Sequence, residues 1–151
     1  MKLKFSIFLI SCLLFIAGIG FAQHASLRNE DALKYVDPYI GSDYHGHVFV
    51  GTNVPYGMIQ LGPSNIHKGW DWCSGYHYSD SILIGFSHTH LSGTGCTDLG
   101  DILIMPLNEI RTPRVNQDDI QGGYASKYSH DNEIVRPEYY SLLVDRYGIK
   151  A

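Results

Sequence analysis

Residues Gly85 to Asp101 read Gly-Phe-Ser-His-Thr-His-Leu-Ser-Gly-Thr-Gly-Cys-Thr-Asp-Leu-Gly-Asp, with histidines, a cysteine and two aspartates among glycines and hydroxyl side chains. Neither a core strand nor a flexible linker needs such chemistry. His88 and His90, spaced as His-x-His, could hold zinc with Asp98 and Asp101 if Ser92 to Gly95 folded back. The run is not a dinucleotide fingerprint, because Asp98 stands where the third glycine belongs. It also lacks the Gly-Lys-Ser/Thr of a phosphate loop. The competing reading is a turn whose Ser, Thr and Asp side chains satisfy backbone groups. Asp98 and Asp101 could be offered as a carboxylate pair, but they lie too close in sequence, in too tight a turn, to flank a sugar ring easily from opposite sides.

Two other clusters carry chemistry. His45-Gly46-His47 would project both rings from one face of a strand. A cupin-like metal site would also want a nearby glutamate, and none follows. Contact with a polar ligand or a neighbouring loop fits these histidines better. The stretch Gly69-Trp70-Asp71-Trp72-Cys73-Ser74-Gly75-Tyr76-His77-Tyr78 sets four aromatics and a carboxylate between glycines. A sugar ring offers an apolar C–H face and a rim of hydroxyls, which a flat aromatic beside a carboxylate matches. The alternative is that Trp72 or Tyr76 fills the core. On a strand, Trp70 and Trp72 would share a face, so separate roles require a loop.

These clusters need a scaffold of short strands. From Gly41 to Gly100 lie eleven of the sixteen glycines and six of the eight histidines, a density that implies tight turns. Strands are expected over Gly57–Leu61, between Pro55 and Pro63, and over Ser81–Ser87, with Ile82, Ile84 and Phe86 on one face and Leu83 on the other. Two more are expected over Asp101–Leu107 and Tyr139–Asp145. Helical periodicity is confined to about one turn at Asn29–Lys34. The pattern predicts an all-β sandwich. Val144 to Ala151 reads as a strand, a turn and a new strand beginning, so the chain is expected to be the front part of a longer protein.

The bulk composition agrees. Hydrophobic residues make up 44% and charged residues 17%, which is globular rather than disordered. Lys2 and Lys4 precede an apolar run from Phe5 to Gly20, and Gly20-Phe21-Ala22 gives a small-x-small cleavage pattern. Met1 to Ala22 is therefore expected to be a signal peptide, too short to span a membrane as a helix. Residues 23–34 are expected to be a flexible segment and 35–151 the domain. Localisation is then secreted or periplasmic; the alternative is a lipid anchor on Cys12, from the lipobox-like Leu9-Ile10-Ser11-Cys12. Removing the leader leaves nine basic and fifteen acidic side chains, a net charge of −6, and no basic patch for nucleic acid or anionic membrane. Cys73 and Cys96 remain, either as a disulfide or as two thiols.

Five segments together resemble the amino-terminal domain of glycoside hydrolase family 92: Tyr35–Gly41, Val54–Pro63, Gly69–Asp80, Gly85–Asp101 and Ile102–Pro106. Gly85 to Gly95 is the most specific of them. The resemblance implies a β-sandwich that packs on a larger (α/α) barrel, in a secreted, calcium-dependent, inverting exo-α-mannosidase. The substrate would be N-glycan or other mannose-containing glycan. The general acid and base would come from the barrel, so no catalytic residue is assigned in this chain, and calcium ligands are expected outside it. The resemblance implies that Trp70 and Asp71 face sugar near the leaving group and that the His88-Thr89-His90 loop closes against the barrel. The candidate substrate-binding residues are Trp70, Asp71, Cys73, His88, His90 and Asp98. The competing classes are a non-catalytic carbohydrate-binding sandwich, a metal-dependent β-domain built on the His-x-His pairs, and a truncated product without function.

Overall fold

In a computed structural model of the chain, the described residues are 30–53, 57–93, 95–96, 99–115 and 120–151. The expected signal segment, Cys12, Val54–Tyr56 of the second family-like segment, and Asp98 lie outside them. The chain divides into two units, Met1–Val36 and Asp37–Ala151. The described part of the first is one helical turn, α1 (Glu30–Leu33), extended by bonds from Tyr35 N–H to the Ala32 carbonyl and Val36 N–H to the Leu33 carbonyl.

Among its described residues the second unit has six short strands in two antiparallel sheets. In one, β1 (Gly62–Asn65) pairs with β2 (Ile82–Ser87), and β2 pairs with β3 (Ser126–Lys127). In the other, β4 (Glu133–Arg136), β5 (Tyr139–Val144) and β6 (Ile149–Lys150) form a meander. Leu83 from β2 joins Leu142 and Val144 from β5 in one buried cluster with Val50, Tyr76, Tyr128 and Tyr147. The two inner faces thus share a core, as the all-β sandwich expectation requires.

Several expected strands are placed differently. The one forecast at Gly57–Leu61 starts instead at Gly62. Gly57 has φ +64° and donates its N–H to the Asn53 carbonyl, so the chain turns there, and Met58 and Ile59 stay exposed. Pro63 does not end the strand but sits within it opposite Phe86. β1 is an edge strand, where a residue without an N–H is tolerated. Asp101–Leu107 forms only a bridge, Phe86 with Ile104, because Ile102 has φ +53° and kinks the run.

In β2 the fully buried face is Leu83, Gly85 and Ser87, while Ile82, Ile84 and Phe86 are half-buried. Gly85 explains part of this: its φ is +142°, and a Cβ there would meet the Ile104 carbonyl at 2.8 Å.

Two buried polar knots hold the loops. Asn65, just past a bulge in β1, takes the His77 N–H on its Oδ1 at 2.7 Å and gives its own N–H to the Gly75 carbonyl at 2.7 Å. Its side-chain amide donates to the Ile82 carbonyl at 2.8 Å, so the β1–β2 connection is closed at its base. The second knot is Glu133, whose carboxylate accepts from the hydroxyls of Tyr39, Tyr76 and Tyr140 at 3.2, 3.1 and 2.6 Å. His130 Nδ1 lies 2.6 Å from the same carboxylate. A buried carboxylate is tolerated because donors surround it. Burial first, then the Glu133 charge, pushes the Tyr140 hydroxyl well above the usual tyrosine range.

Candidate functional site

The β1–β2 connection carries the aromatic cluster. Gly69 enters it with φ +126°, a conformation that favours glycine, and Trp70–Trp72 then form one turn of 3₁₀ helix. At three residues per turn, positions two apart point in different directions. The two tryptophans therefore part, which a strand would not allow. Trp72 turns inward. Its ring stacks on His77 at 4.1 Å, and its Nε1–H donates to Asp80 Oδ2 at 2.8 Å. Asp80 is buried and also binds Lys68 Nζ at 2.7 Å and the N–H groups of Ser81 and Ile82. Trp70 turns outward and is 60% exposed.

Asp71 shares that outward edge. His45 Nδ1 lies 2.6 Å from Asp71 Oδ1, and His47 Nε2 lies 3.4 Å from the same oxygen. The His45 bond, with help from His47, holds the Asp71 carboxyl below the usual carboxylate range. His47 also sets its ring edge-on to Trp70 at 4.6 Å, and His45 lies tilted against it at 5.7 Å. The two histidines converge through a turn rather than through strand alternation: Tyr44 and His47 have φ +48° and +54°. Gly46 is pressed so closely on the Gly41 carbonyl that a side chain would fall on it.

Past the end of β2, the described residues from His88 to Asp101 are tied into a loop by hydrogen bonds. His88 N–H donates to the Asp101 carbonyl, Gly100 N–H to the Thr89 carbonyl, and Asp101 N–H to Thr89 Oγ1. Gly93 N–H reaches the His47 carbonyl at 2.6 Å. Near its tip, Gly95 lies against Trp70, and a Cβ there would coincide with the indole nitrogen.

The expected site residues are thus distributed. Trp70 and Asp71 are adjacent and accessible, with His45 and His47 as partners that the sequence reading did not place there. The pairing crosses from one loop to another, and no local spacing signals it. Cys73 caps the 3₁₀ turn and is buried, Cys96 is exposed, and both are thiols.

His90 is buried. Its Nδ1 lies 2.7 Å from the Gln60 carbonyl, its Nε2 3.0 Å from Ser87 Oγ, and its ring stacks on Phe49. Burial holds it below the ordinary histidine range. Its ring thus serves the fold under the loop rather than an open surface. His88 lines a cavity of about 480 Å³ bordered mainly by apolar side chains such as Phe86, Ile104, Pro106 and Tyr140. Its Nδ1 bonds the Ile102 carbonyl at 2.7 Å. Among the described residues, no group of three or more His, Cys, Asp or Glu side chains could hold a metal ion.

An exposed indole next to a pinned carboxylate suits a ring with one apolar face and hydroxyls at its rim. The chain matches the Glycosyl hydrolase family 92 N-terminal domain over residues 35–151. It belongs to glycosyl hydrolase family 92. A family GH92 α-mannosidase of Bacteroides thetaiotaomicron, solved alone and in complex with mannoimidazole, is 42% identical, with a TM-score of 0.74 over 79% of this chain and 16% of that one. The GH92 family glycosyl hydrolase ccman5 is 29% identical, with a TM-score of 0.59 over 73% of this chain and 14% of that one. An uncharacterized secreted glycosidase of Arthroderma benhamiae is 30% identical over 139 residues, 89% of this chain and 17% of its own length. This family 92 chain thus spans about one sixth of the length of these relatives. Among its described residues no helix is long and apolar enough to cross a membrane.

Proposed function

We propose that this chain is the amino-terminal part of an exported exo-α-mannosidase and that Trp70 and Asp71 form one side of its sugar pocket. The observation that carries this reading is the outward indole of Trp70 beside a carboxylate held in place by two histidines. The similarity to an α-mannosidase and to a secreted glycosidase supports the reaction class and export. Hydrolysis would proceed with inversion, by an acid and a base about 6.5–9.5 Å apart with a water between them. Asp101 accepts the Thr89 hydroxyl at 3.4 Å, and the family resemblance assigns the acid and the base to the barrel. Both groups, and the ligands of any calcium, would then belong to a part of the protein beyond these residues. The substrate would be a mannose-ended glycan such as an N-glycan.

The test uses the full-length protein. Trp70→Ala and Asp71→Asn should lower kcat/KM on an α-mannoside while the fold survives. The 151-residue chain alone should release no mannose. Native turnover by both variants would overturn the reading; binding of mannoside without hydrolysis by the full-length protein would move it to a carbohydrate-binding module. Mass spectrometry of the exported protein should find an amino terminus near Gln23, and a lipid on Cys12 would replace that with an anchored form.

A further inference from the structure

We propose that His45 and His47 are positioning residues for the sugar platform, orienting the Asp71 carboxylate as a hydroxyl acceptor and backing the Trp70 indole. This rests on the reading that Trp70 and Asp71 meet sugar.

Both histidines are directed at one atom. His45 Nδ1 and His47 Nε2 approach Asp71 Oδ1, at 2.6 and 3.4 Å. Among the described residues no donor reaches Oδ2, and the side chain is 28% exposed. A carboxylate held by one oxygen keeps the other in a fixed direction. A ring stacked on Trp70 would bring its hydroxyls to that oxygen, so adjacent hydroxyls of a hexopyranose are the chemistry the pair would select. His47 contributes more than its weak bond to Asp71. It is buried, its carbonyl receives the Gly93 N–H, and its ring packs at a steep angle against the indole. His47 therefore ties together the turn that carries it, the loop at Gly93 and the Trp70 ring. His45 is mostly exposed, so a purely structural role would leave little trace on its removal.

The nitrogen each histidine uses supplies a chemical test. Asparagine places an amide N–H near the position of a histidine Nδ1, and glutamine near that of Nε2. In the full-length enzyme, His45→Ala should raise KM about tenfold, the loss of one hydrogen bond to a charged acceptor, with kcat and Tm near native. His45→Asn should recover most of that loss and His45→Gln should not. His47→Gln should retain more affinity than His47→Ala. Trp70→Ala is the control. If it raises KM while His45→Ala and His47→Ala leave KM native, the positioning role is wrong and the platform stands. If it leaves KM native, the platform fails and the positioning role fails with it. A fall in Tm in the histidine variants with KM unchanged in the folded fraction also overturns the proposal.

Discussion

Trp70 rests its indole nitrogen on the backbone of Gly95, with no room for a side chain between them. Gly95 does not sit in the left-handed region, so its own backbone accepts alanine, and the cost falls on Trp70. Gly95→Ala should push the ring aside. We expect KM for an α-mannoside to rise several-fold in the full-length protein, with Tm moving by only a few degrees. Steady-state kinetics beside a thermal melt check this.

Trp70 and Trp72 should separate function from stability. Trp72 is stacked on His77 and donates to the buried Asp80, so Trp72→Ala should cost about 3–5 kcal/mol of stability. Trp70→Ala removes an outward ring and should cost about 1 kcal/mol or less. Denaturant melts of the two variants measure the difference.

Glu133→Ala should be among the most damaging single changes. It strips the shared acceptor from three tyrosine hydroxyls and His130 in the interior. Buried donors left without partners cost about 1–3 kcal/mol each. Chemical denaturation should show a loss of several kcal/mol, with Glu133→Gln milder because its carbonyl oxygen still accepts.

His90 sets an acid limit. Its pKa is lowered in the fold by burial, so the unfolded chain takes up the proton first as pH falls. Stability should be complete above the ordinary value of 6.5 and should decline as pH drops through 6.5 toward the lower folded value. Melting temperatures between pH 8 and 5 should fall for the native protein and flatten in this range for His90→Asn.

The two cysteines should react unequally. Cys96 is exposed, whereas Cys73 is buried and its thiol is pushed up chiefly by that burial. Iodoacetamide under native conditions should label Cys96 well before Cys73, followed by peptide mass spectrometry. Equal labelling would show that the Trp70–Cys73 turn opens readily.

Much of this protein was legible along the chain because its signals are local. The two-faced pattern of Ser81–Ser87 and the aromatic and aliphatic run Tyr139–Asp145 placed β2 and β5 within a residue or so. The glycines at 69, 75, 93 and 100 marked positions where φ does become positive. Trp70, read along the chain as a ring better placed to face outward than to fill the core, is exposed. Tertiary structure decided what lies between distant segments. Pro63 looked like a strand end, yet an edge position makes its missing N–H harmless. The His88-Thr89-His90 motif looked like one unit, yet His90 is buried between Gln60 and Ser87 while His88 opens into another cavity. The histidine partners of Asp71 come from a turn 24 and 26 positions earlier, across a loop contact. Hydrogen bonds and close packing depend on separation in space, and once the chain has folded, sequence spacing no longer reports it.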